Sequence, residues 1–401
     1  MRLLQLLFCI SVWIAVPNAE SQTNLEGSAI TFSEDREVIK GNPGLWGEIE
    51  SYYTFLEPPL ETIDLITIPS EQTEWHFFDM SLLQLDAFLG SAGVTPQQHS
   101  ALMDPSRIFS NGEHHRLFPT PEVITTLSSA SRNTIYRVLG QWEENPFHHK
   151  PFFIENPNLS QWFYGTGLET SQLQSIARLV YGSSNSGLLF SDLPYLLRDI
   201  ESGSEEKKLL TALCRVRTLV PRIRISDSDN FENIARYWTS GYRNKDILPV
   251  MESVIKTEGV EMLDIAHLLP PTPRKHLFTF PGTNEGVSGR YPDWLWTSIN
   301  FFNFIPLSRY ADSTSGTEYF HKNYVPIPAP EQFGDLILVR KESNGEFLHG
   351  CIYIADDIVY TKNSASLFSP WVLSRIKNLI PLFSRFGKLE VIAYRLEVDA
   401  P

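Results

Sequence analysis

The run from Gly334 to Asn363, GDLILVRKESNGEFLHGCIYIADDIVYTKN, constrains the fold more than any other part of the chain. It reads as three strands, GDLILV, FLHGCIYIA and IVYTKN, joined by connections short enough to demand antiparallel neighbours. The near-continuous apolar content of FLHGCIYIA predicts a strand deep inside a sheet, and Asp356 with Asp357 supplies the turn into the next one. Further on, SPWVLSRIKNLIPLF predicts a helix capped by Ser369 with Pro370 next to it. KLEVIAYRLEV alternates with period two and predicts a closing strand. Upstream, DWLWTSINFFNF predicts a helix with Asp293 near its start. Antiparallel strands adjoined by helices make an α+β domain, here expected over 286–401.

A chain of 401 residues is long for one compact domain and comfortable for two. The stretch 24–225 predicts a mainly helical domain. In it, TPEVITTLSSASRNTIYRVLGQW starts with Thr120 as N-cap and Pro121 at the first helical position. ETSQLQSIARLVYG places Leu173, Ile176, Leu179 and Val180 on one face. Residues 226–285 predict a helical connector, with helices in FENIARYWTSG, capped by Asp229 or Asn230, and in DILPVMESVIKTEG. The proline-rich HLLPPTPRKHLFTFPG is expected to run extended toward the last domain.

The first 19 residues pair Arg2 with an apolar run from Leu3 to Val16 and then small and polar residues, the pattern of a secretory signal peptide too short to span a bilayer comfortably. The expected location is therefore secreted or periplasmic, with no stable membrane span after cleavage. Loss of that leader would remove Arg2 and no acid, making the net charge of −14 more negative still. An acidic surface of that size argues against nucleic acid and anionic membranes as partners. Only Cys214 and Cys351 would remain, both in apolar surroundings that suit buried thiols. Two histidine pairs, His114 with His115 and His148 with His149, raise the question of zinc. Adjacent side chains diverge on any regular element, so neither pair makes a bidentate site and no metal or cofactor is expected.

The order of segments in the last 115 or so residues resembles the NlpC-type cysteine peptidases, the papain-like family that cuts peptide stems in bacterial cell walls. The resemblance rests mainly on GDLILV followed by HGCIYIADDIVYTKN. It implies that Asp293 matches the aspartate preceding the nucleophile, Gly334 and Asp335 the strand entry, and His349 the general base. The third polar position falls at Thr361, with Lys362 and Asn363 close by. The nucleophile position falls on Trp294.

In such a peptidase an imidazole and the positive end of a helix lower the thiol pKa, and a third polar residue orients the imidazole. An indole has no ionisable nucleophile. The resemblance therefore implies a papain-like fold whose chemistry is lost: a pseudoenzyme binding or scaffolding at the cell envelope, with cell-wall peptides or an envelope protein as partner. The alternative is an active cell-wall peptide hydrolase or acyl transferase using Cys351, which shares a strand face with His349. Thr297 and Ser298 are hydroxyl candidates of lesser standing, each about a turn from the helix start.

Overall fold

The computed structural model describes residues 37–68, 72–155, 158–183, 187–225, 231–241, 243–284, 286 and 290–397. The leader at 1–19 and the caps expected at Asp229 or Asn230 lie outside them. The architecture is α+β with antiparallel sheets throughout. Among the described residues no helix is long and apolar enough to cross a membrane.

Contacts divide the described chain into two compact units, one within 63–214 and the other formed by 37–62 together with 215–397. The grouping departs from expected boundaries at 225 and 285 because Glu48–Leu56 pairs along all nine residues with Val216–Arg224. A ladder of that length ties both ends of the helical stretch to the C-terminal part of the protein. Ile39–Lys40 and Met262–Asp264 complete this four-stranded sheet.

The first unit holds helices and two three-stranded sheets, more strand than the helical reading of 24–225 expects. Thr120 caps its helix as the sequence implies, accepting from the Val123 N–H. That helix stops at Thr126, and Ser128 caps a second one, Ser129–Leu139. The local hydroxyl competes for backbone N–H groups and so interrupts what looks like one periodic run. Leu173, Ile176 and Leu179 are buried on one face of Thr170–Leu179.

In the second unit six strands lie in the order Tyr324–Ile327, Leu389–Leu396, Leu336–Lys341, Phe347–Ala355, Ile358–Lys362 and Trp371–Arg375. The turn at Asp356 takes φ 54°, a left-handed value that aspartate tolerates well. The Phe347–Ala355 strand is fourth in the sheet and buried over its last seven residues, as its composition predicts. Its even-numbered side chains, Ile352 and Ile354, join a core with Leu295, Trp296 and Ile299 of the helix Trp294–Ile299. On the opposite face Cys351 and Tyr353 pack with Leu379 and Phe383.

Two expectations are corrected. WVLSR is a strand, not the start of a helix; it pairs with Ile358–Lys362, and the helix is only Ile376–Leu379. Trp371, Val372 and Leu373 suit a pleated, buried surface, and the open edge of the preceding strand overrides the Ser369–Pro370 start signal. The proline-rich passage is also not wholly extended, since Pro271–His276 is helical. Pro271 and Pro273 fall in the first turn, where the missing N–H groups have no helical partner to lose.

Candidate functional site

The helix Trp294–Ile299 begins at Asp293, whose carboxylate accepts the Trp296 N–H at 2.9 Å. Burial raises the Asp293 pKa, while the N–H groups of Trp296 and Leu295 and the Lys362 ammonium oppose that rise. A carboxylate is held at the helix entry, where backbone donors favour it. The next residue is Trp294. Its indole lies against Gly350, where a Cβ would sit 2.5 Å from Cε3 of the ring and 2.8 Å from the Leu338 side chain. The seat for this ring exists because position 350 has no side chain.

That seat brings the Trp294 ring to 6.3 Å from the imidazole of His349, centre to centre. His349 is fully buried, and Phe383 stacks on it at 4.9 Å. Its Nε2 lies 2.8 Å from Thr361 Oγ1, and Thr361 donates in turn to Asn363 Oδ1 at 3.3 Å. With the Thr361 proton committed to Asn363, the hydroxyl oxygen accepts from Nε2–H, which leaves the His349 Nδ1 lone pair bare. Nδ1 has no hydrogen-bond partner. Burial lowers the His349 pKa to about 3, so the ring is neutral near pH 7. The result is an imidazole oriented through Nε2 by the Thr361 hydroxyl, with no thiol or hydroxyl bonded to Nδ1.

Geometry puts this chain of side chains where two strands part. The ladder between the His349 strand and its neighbour runs from Ile352 opposite Tyr360 to Ala355 opposite Ile358, with a register shift. Beyond Ile352 the connection is made by the His349 and Thr361 side chains. Lys362, also fully buried, donates from Nζ to the carbonyls of Ser364 at 2.6 Å and Ser366 at 3.0 Å. It thereby fixes the loop that carries Asn363.

The other nucleophile candidates are engaged elsewhere. Cys351 is 1% exposed among Ile337, Val339, Tyr353 and Val359, and burial pushes its thiol far above the ordinary range. Burial also raises the Cys214 thiol, to about 12. Thr297 Oγ1 accepts the Trp371 indole N–H at 2.9 Å, and Ser298 Oγ donates to the Trp294 carbonyl at 2.8 Å. Asp335 takes both Arg395 bonds, at 2.7 and 2.8 Å, plus the N–H groups of Glu331 and Gln332. All its capacity goes into holding the strand entry.

The histidine pairs separate as adjacent residues should. His114 stacks on Phe78, whereas His115 turns to Ser110 and the Met80 carbonyl. His148 is buried, with its pKa lowered to about 3 by desolvation, and His149 bonds the Gly140 carbonyl. Among the described residues no three His, Cys, Asp or Glu side chains gather to hold a metal ion. Sequence reasoning placed Trp294, His349, Thr361 and Asn363 in one neighbourhood, and the structure brings them together. It missed Phe383 and the requirement for glycine at 350.

No protein-family model matches this chain, nor does any curated protein or solved structure.

Proposed function

We propose that the second unit is a degenerate NlpC-type, papain-like domain that binds cell-wall peptides or an envelope protein without cutting them, in an exported protein. The observation that carries this reading is the indole of Trp294 seated on Gly350 beside a buried, oriented His349. Helix start, base and third polar group come together in the order the resemblance implies, with a ring at the nucleophile position, while His349 shares the strand face of Cys351 and Phe383, opposite the face that carries the helix. Enclosure of the imidazole by Phe383 supports the same conclusion, because a base reached by neither water nor substrate cannot turn over. The burial of Cys351 in an apolar cluster weighs against the hydrolase alternative.

The test is a mass-spectrometric digest of purified cell-wall peptides by the natural protein, Trp294→Cys and His349→Ala, paired with sedimentation binding to isolated cell wall. The reading expects no cleavage by the natural protein and retention on the wall material. Products from the natural protein that vanish in His349→Ala would overturn it. Products from Trp294→Cys alone would mean that a single indole blocks an otherwise usable cleft.

A further inference from the structure

A second nucleophile and base pair lies in the first unit, at the hairpin formed by Ile108–Asn111 and His114–Leu117. Ser110 and His115 are opposite one another in its register, across a two-residue turn in which Gly112 takes φ 65°. Ser110 Oγ is 2.8 Å from His115 Nδ1, and His115 Nε2 is 2.9 Å from the Met80 carbonyl oxygen. A carbonyl can only accept, so Nε2 carries the proton and Nδ1 presents its lone pair. The Ser110 hydroxyl must then donate to Nδ1. This is the order of nucleophile, base and orienting group on which hydroxyl activation depends.

Two further features fit use of that order. His115 is 1% exposed whereas Ser110 is an exposed residue, so the base is shielded while the residue that bears the hydroxyl stands at the surface. The Met80 carbonyl that fixes the imidazole follows Asp79, which takes φ 58°, an uncommon backbone state for a residue with a side chain. Ser91, another exposed serine, spends its proton on the Phe88 carbonyl and has no base.

We propose that Ser110 is an acyl-accepting nucleophile, with His115 as its general base and the Met80 carbonyl as the orienting group, for acyl donors of the ester or thioester class. Ser110 Oγ attacks the acyl carbon and its proton passes to His115 Nδ1. The bond to the alcohol or thiol leaving group breaks, and that group departs with the proton from Nδ1, leaving an O-acylserine and a neutral imidazole. This site is independent of Trp294 and His349.

The full chain is treated with p-nitrophenyl acetate and the acetylated peptides are mapped and timed by mass spectrometry. Ser110 is expected to acetylate at least about 100-fold faster than Ser91, the lower end of what a positioned base contributes. His115→Gln keeps a donor for the Met80 carbonyl and an acceptor for Ser110 but is not basic, and it should bring Ser110 down to the Ser91 rate. Equal rates at Ser110 and Ser91 in the natural protein would overturn the proposal. If His115→Gln fails to fold, Ser110→Cys decides: its thiol should react with iodoacetamide at pH 6 at least about tenfold faster than glutathione. A rate equal to that of glutathione would also overturn the assignment.

Discussion

Replacing Gly350 with alanine probes the seat of Trp294 directly. The new Cβ would lie 2.5 and 2.8 Å from two carbons of the indole and 2.8 Å from Leu338 Cδ2, closer than carbon atoms pack. Either the indole moves off the strand or the strand moves off the helix. Overpacking of this kind costs about 1–3 kcal/mol. Restricting the unfolded chain at a former glycine returns about 0.4–1 kcal/mol, since no positive φ is required at this position. A net loss of about 1–2 kcal/mol should appear as a lower midpoint in urea unfolding followed by circular dichroism, with an unchanged slope. The double variant Gly350→Ala with Trp294→Ala isolates the contact: the cost of alanine should fall by at least about half once the indole is gone, the remainder belonging to Leu338. An alanine that costs nothing, or costs the same with and without Trp294, would refute the seat.

Three other outcomes follow from the same geometry. His349, with its folded pKa lowered to about 3 against 6.5, binds its proton more readily when unfolded; stability should therefore decline on acidification between those values, by up to about 1.4 kcal/mol per pH unit, and His349→Gln should flatten that limb of an acid-denaturation series. Trp371→Phe removes the indole donor from buried Thr297 and should cost about 1–3 kcal/mol in chemical denaturation, with Thr297→Val in the same background recovering part of it. Asp335→Ala strips Arg395 and two backbone N–H groups of their acceptor at once, so a loss of about 2–4 kcal/mol is expected and Asp335→Asn should lose less.

Legibility in the sequence was uneven for physical reasons. The three strands from Leu336 to Lys362 and the Asp293 cap were readable because continuous apolar runs, a two-aspartate turn and a capping carboxylate are local signals. The strand Trp371–Arg375 was not, since Ser369 and Pro370 announce a helix while the ladder that decides the matter comes from Ile358–Lys362. Glu48–Leu56 was lost for the same reason, its partner standing far along the chain at Val216–Arg224. At the site, the cluster of Trp294, His349, Thr361 and Asn363 came from motif order. Phe383 belongs to a short 3₁₀ segment with no motif, and its place on the imidazole is a product of tertiary packing.

The pairing of Leu56 with Val216 also has a bearing on how the protein is made. On a ribosome working at about 5–20 residues per second, the strand Glu48–Leu56 emerges on the order of ten seconds before its partner. Throughout that interval the whole of 63–214 is available to collapse upon itself, while the earlier strand waits with an open edge. Because the two ends of that stretch return to neighbouring positions on one ladder, it has the topology of an insertion between two paired strands. Excising it and bridging the ends with a short turn is therefore a conservative edit to the remainder, far less drastic than cutting the protein at any single point.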